Sequence, residues 1–161
     1  MKLLLITLAI LFVVACVAYV ARSLAVGGHR LHAFNNAGSH NGPITRFAET
    51  AFGVPNLVAG KGTTAGKQVA PCAATGVVPI GFALDEAAVG EAVAVEMSYG
   101  RSVLGVASAA IAADVPVYTA AGGKLSSTGG AGKYLMGRSA GAAAADGDEF
   151  EVIPCAPVLQ S

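Results

Sequence analysis

Downstream of Leu57 the chain never sustains one kind of pattern for long. Short Val- and Ile-rich runs alternate with Gly, Pro and Asp at a spacing of roughly 8–12 residues, the rhythm of strands joined by tight turns. The expected strands are Gln68–Cys72, Val78–Leu84, Ala92–Ser98, Arg101–Ala107, Pro116–Thr119, Tyr134–Ala140 and Phe150–Pro154. Val93 to Met97 alternates well, as does Phe150-Glu151-Val152 leading into Ile153. Pro71, Pro79, Pro116 and Pro154 lie in or beside these runs; a proline brings no N–H to a ladder, so they belong at edges or strand ends. Ala142 to Ala145 has high helix propensity but is too short to stand as a helix, and Asp146-Gly147-Asp148 closes it. Residues 57–161 are therefore expected to form an all-β domain, a small sandwich or barrel of short strands.

A weak internal repeat runs through this domain. Gly81 to Val95 and Gly137 to Val152 share a glycine at a strand end, an Ala-rich connection, a Gly turn and a following apolar strand. Ala112 to Tyr118 reads as a looser third copy.

Upstream, residues 25–56 hold all three histidines, His29, His32 and His40, several Asn and Gly, and no sustained period. Asn41-Gly42-Pro43 is turn chemistry. These residues read as an extended N-terminal arm in which Ile44, Arg46, Phe47 and Phe52 are the partner-binding candidates, with isolated apolar groups spaced to touch a surface elsewhere. Residues 1–24 form a hydrophobic segment. Leu3 to Ala21 carries Thr7 as its clearly polar residue, and as a helix it would span about 28 Å, close to the hydrocarbon thickness of a bilayer. A membrane anchor, a cleaved export signal ending near Ser23-Leu24-Ala25, a lipoprotein signal at Cys16 and a misplaced start site are the readings left open.

Composition bounds the chemistry. Lys plus Arg and Asp plus Glu number ten each, so the chain lacks the basic excess that displaces counterions from phosphate and is not expected to bind nucleic acid. Only 12% of the residues are charged, which leaves little to oppose association with neighbours. Gly60 to Lys67 resembles a phosphate loop but has Lys61 where its first glycine should stand and Gln68 in place of a magnesium-binding hydroxyl. Asp146 to Glu149 lacks the remaining ligands of a calcium loop, and the histidines lack partner ligands. Beyond the arm there is no histidine to serve as a base. The chain is expected to have no catalytic, cofactor-binding or metal site. Cys72 and Cys155 follow similar phrases, Val69-Ala70-Pro71 and Val152-Ile153-Pro154, so a disulfide is open if their strands are neighbours; two free thiols is the preferred reading.

From about residue 38 to the end, four phrases in order resemble the phage capsid cement (decoration) proteins. They are Ser39 to Arg46; Val78-Pro79-Ile80-Gly81 with Asp85-Glu86-Ala87; Ala110 to Lys124; and Gly147 to Pro154. The resemblance implies a β-rich structural virion protein on the outer capsid surface that stabilises the shell by binding the major capsid protein. It also implies a homo-oligomer, a trimer by the family pattern. A membrane-anchored or exported envelope protein displaying the same module, held through residues 3–21, is the alternative.

Overall fold

The computed structural model describes residues 42–97 and 101–161. They form the strands β1 (Ile44–Ala48), β2 (Val58–Lys61), β3 (Gln68–Pro71), β4 (Pro79–Ala83) and β5 (Ala92–Met97), then β6 (Val103–Val106), β7 (Pro116–Thr119), β8 (Leu125–Ser126), β9 (Tyr134–Ser139) and β10 (Glu149–Leu159). A single 3-10 turn, Ala121–Gly123, precedes β8. The fold is all-β. Strands β1–β5 close a barrel in the order β1-β3-β2-β4-β5, with β1 antiparallel to β5 and parallel to β3. Strands β6–β10 make a second sheet in the order β6-β10-β9-β7-β8, and the parallel bridge Ala107↔Leu125 brings the end of β6 back to β8.

The two halves share one topology. β6 stands for β1, β7 for β2, β8 for β3, β9 for β4 and β10 for β5, with every pairing keeping its direction. The register matches residue by residue: Ala83↔Val95 and Gly81↔Met97 in the first half answer to Ser139↔Val152 and Gly137↔Pro154 in the second. A register shift between Ala59 and Gly60 recurs between Val117 and Tyr118. The bridge Phe52↔Ala87 recurs as Ile111↔Ala143. Even the left-handed turn residue recurs: Asn56 (φ 63°) donates its N–H to Ala83, and Asp114 (φ 61°) donates to Ser139. Asn and Asp tolerate that conformation better than other non-glycine residues.

Gly81 and Gly137 mark the tightest repeated contact. A Cβ at either position would run into the backbone carbonyl of the facing strand, at Glu96 and at Ile153 respectively. Glycine is required there because two backbones approach with no room for a side chain between them.

Each half has its own apolar core. Ala48, Phe52, Ala59, Val69, Ala87, Val93 and Val95 fill the first barrel. Ala107, Ile111, Val117, Leu125, Ala143, Phe150 and Val152 fill the second at the matching positions. The cores are welded together. Val58, Cys72 and Phe82 of the first half belong to the core of the second, and Val106 of the second belongs to the core of the first. Gly105 lies beside this contact: a Cβ there would be at ordinary van der Waals distance, 3.6 Å, from Phe82 Cε1 and would crowd Leu125 Cδ1 at 2.7 Å and Val152 Cγ2 at 3.2 Å.

Three expectations are corrected. The part of the proposed arm within the described residues is an integral piece of the domain: β1 closes the first barrel, and Phe52 is 1% exposed. The 57–161 boundary therefore falls inside the barrel. β1 went unrecognised as a core strand because its partners, β3 and β5, lie far along the chain. The looser third repeat, Ala112 to Tyr118, is instead the counterpart of Val54 to Gly60, since both carry the left-handed turn residue and lead into the same strand. β2 and β8 also escaped the sequence reading, both being short and glycine- or polar-flanked. Pro154, by contrast, sits at a register shift in β10, where a missing donor costs nothing. Among the described residues no helix is long and apolar enough to cross a membrane; the expected hydrophobic helix and the rest of the arm, residues 1–41, lie outside the described residues.

Phe82 and Arg138 occupy matching positions in the two halves, one at the weld and one facing solvent. Phe82→Ala is expected to cost about 3–5 kcal/mol and Arg138→Ala within about 0.5 kcal/mol, read from urea unfolding midpoints. Gly81→Ala and Gly137→Ala should each cost at least about 1–3 kcal/mol in the same assay.

Candidate functional site

The four residues expected to bind a partner differ in burial and in the side of the sheet they occupy, Arg46 sharing its side of β1 with Ile44 and Ala48 and Phe47 lying on the other. Ile44 and Ala48 face inward, and half-buried Ile44 packs on the first barrel's core. Phe52 lies wholly within that core and pairs with Ala87 through two backbone hydrogen bonds of 2.8 and 3.1 Å. Neither has a surface to offer. Arg46 is half-buried with Nη1 donating to the Thr45 carbonyl at 3.1 Å, and Phe47 is 52% exposed. Only Arg46 and Phe47 are left available to a neighbour.

Cys72 and Cys155 are free thiols. β3 and β10 belong to different sheets, so the similar phrases that precede the two cysteines do not make them neighbours. Cys72 lies in the weld with Sγ directed at the Val77 carbonyl, 3.6 Å away, whereas Cys155 Sγ faces the Leu135 carbonyl at 3.9 Å. Burial pushes the Cys72 thiol up to about 11 and raises that of Cys155 as well. Neither is poised as a thiolate nucleophile at neutral pH.

The buried polar groups are spent on structure. Thr119 Oγ1 donates to the Ala74 carbonyl at 2.8 Å and accepts from the Tyr134 N–H at 3.0 Å. Ser139 Oγ donates to the Ala112 carbonyl at 2.8 Å and accepts from the Val115 N–H at 3.0 Å. Glu96, 6% exposed, forms an ion pair with Arg101.

The acidic turn Asp146 to Glu149 is equally committed. Asp146 binds the Lys124 ammonium at 2.6 Å, Asp148 accepts from the N–H groups of Ala144 and Ala145, and Glu149 accepts from Asn56 Nδ2 at 2.8 Å. Glu91 plays the role of Asp148 in the first half, accepting from the Ala88 N–H at 2.9 Å. With Glu86 it borders a shallow depression over Phe52 and Ala87. Among the described residues no three His, Cys, Asp or Glu converge on a metal-sized site. Lys61 to Lys67 is the β2–β3 hairpin. A strand, not a helix, follows it, so no helix N-terminus is there to meet a phosphate. Its turn is held by Glu49, whose carboxylate accepts from Thr63 Oγ1 and from the Thr63 N–H, both at 2.7 Å.

What the sequence reading missed is a row on the outer face of the second sheet. Pro116, Arg138, Ile153, Glu151 and Leu104 follow one another across β7, β9, β10 and β6. Ile153 is 55% and Leu104 45% exposed, and the row lies open to solvent. Its counterpart in the first half, Val58, Phe82, Glu96, Ala94 and Thr45, is largely buried, with the first four residues each at most 6% exposed. The period-two alternation of β10 was visible in the sequence. Which side of it would be covered was not.

No protein-family model matches the chain, and no curated protein matches it either.

Iodoacetamide at about pH 8 is expected to alkylate Cys155 well before Cys72, with no mass loss from a Cys72–Cys155 bridge in non-reduced peptide maps. The Thr63 hydroxyl, and then the Thr63 N–H, hold the Glu49 carboxyl below its ordinary value of 4.5. Thr63→Val should move it back up in a carboxyl-carbon NMR titration. The sign follows from the depressed folded value: the tie to Thr63 is complete above the unfolded pKa and is lost as the pH falls through the lower folded one.

Proposed function

We propose that the chain is a structural virion protein that decorates and stabilises a capsid by binding the outer surface of its shell. The observation that carries this reading is the open row Pro116, Arg138, Ile153, Glu151 and Leu104. In the first half Val58 and Phe82, the counterparts of Pro116 and Arg138, are buried in the core of the second sheet, so the fold already uses part of this kind of face to bind a neighbour. Exposed apolar groups on the outer face of a hydrogen-bonded sheet suit a broad, static interface better than a small-molecule site. The ordered phrases resembling capsid cement proteins name the neighbour as the major capsid protein and the assembly as a homo-oligomer, trimeric by the family pattern. The mechanism is passive: repeated burial of modest apolar areas over many copies holds shell subunits together.

The hydrophobic residues 3–21 favour a second reading, a membrane-anchored or exported envelope protein that presents the same open row. Fractionation separates the two, since one predicts co-purification with capsids and the other recovery from detergent-extracted membranes.

Co-sedimentation with undecorated shells tests the first reading directly. The wild-type chain should pellet with the shells. Ile153→Asp and Leu104→Asp should each lower retention by about tenfold, because a buried carboxylate without a partner opposes the contact. Wild-type chain left in the supernatant would defeat the proposal.

A further inference from the structure

The weld between the halves shows which surface a barrel of this kind uses to hold a protein face. Four residues of the second half carry it. Gly105 lies beside the Phe82 ring, and Val106, 2% exposed, joins the first core. Thr119 Oγ1 donates to the Ala74 carbonyl, and the Gly123 N–H donates to the Cys72 carbonyl, both at 2.8 Å.

The register identifies the counterparts of these four in the first half. Gly105 pairs with Phe150 as Arg46 pairs with Val93, and Val106 pairs with Glu149 as Phe47 pairs with Ala92. Thr119 pairs with Leu125 as Lys61 pairs with Val69. Gly123 precedes Leu125 by the same step that separates Lys67 from Val69. The gripping surface of the second half is small and neutral, whereas the matching surface of the first is Arg46, Phe47, Lys61 and Lys67.

We infer that this surface is a second docking face, one that takes an acidic protein surface bearing an apolar group to cover Phe47. The inference rests on the capsid reading for the partner's identity and deepens it by assigning a face. Lys61 and Lys67 are exposed, and Phe47 is 52% exposed, its N–H donating to the Lys67 carbonyl at 2.9 Å. The neighbouring carboxylate, Glu49, is tied to Thr63 and keeps its charge, and the three cations Arg46, Lys61 and Lys67 outnumber it. A second copy of the chain is a poor occupant. Continuing the weld head to tail would bring Arg138, at the position of Phe82, against Arg46, at the position of Gly105. Two guanidinium groups would meet where the weld has a ring beside a glycine. A different, acidic protein is the fitting partner.

Two probes test the face: undecorated shells, and a random copolymer of glutamate and tyrosine standing for any acidic, partly apolar protein surface. K61E/K67E should keep the wild-type unfolding midpoint, both lysines being exposed. It should lose about tenfold in retention on each probe that holds the wild-type chain, and wild-type binding should weaken as salt rises. Undiminished retention of K61E/K67E on either such probe overturns the inference. So does failure of both probes to hold the wild-type chain, or tighter binding to oligo-dT or to phosphatidylcholine–phosphatidylserine vesicles than to the copolymer. If shells alone fail while copolymer binding stays lysine-dependent, the capsid reading falls and the docking face stands.

Discussion

The entry of Phe82 and Val58 into the core of the second sheet is the contact on which the described domain depends. That sheet meets its own edge through one bridge, Ala107↔Leu125, and so lacks the full ladder that seals the first barrel. Side chains from outside must complete its interior. Phe82 supplies a ring and Val58 and Cys72 further volume. Close-packed interiors tolerate few voids, so the second sheet depends on these side chains of the first half to complete its core. Backbone hydrogen bonds at the same seam, Cys72 N–H to the Val58 carbonyl and Gly123 N–H to the Cys72 carbonyl, satisfy groups that the weld would otherwise bury unpaired.

This seam also turns a repeated fold into an asymmetric one. The halves match in register, in bulge and in left-handed turn residue, yet their outer faces have different fates. Val58 and Phe82 are covered, whereas Pro116 and Arg138 at the same positions face solvent. Gly105 lies beside the Phe82 ring, whereas Arg46 fills the corresponding place with its own side chain. Two equivalent modules have thus diverged into a joined inner pair of faces and two chemically distinct outer ones. One outer face is an apolar row with Arg138 and Glu151 set into it; the other is basic around Phe47.

Groups that could have suggested catalysis are consumed in holding turns and strands. Asp148 and Glu91 cap matching turns, Ser139 and Thr119 bridge backbone groups between strands, and the Cys72 thiol is raised by burial. A buried hydroxyl whose proton is donated to one backbone carbonyl and whose oxygen accepts from a backbone N–H is engaged in holding the fold.

The sequence by itself determined the fold class, most strand positions and one true repeat, because alternation, proline placement and turn residues act over a few neighbouring residues. Gly81 and Gly137 were legible as repeat markers for the same reason. Tertiary structure alone decided that Ile44–Ala48 is a barrel strand, that Phe52 is core while Phe47 is surface, and that Cys72 and Cys155 lie apart. It alone decided which of two like faces would be buried. Local pattern gives each strand an inner and an outer side, but the covering of an outer side depends on partners distant along the chain. Those long-range packing choices, Phe82 against Gly105 above all, leave no periodic trace in the sequence.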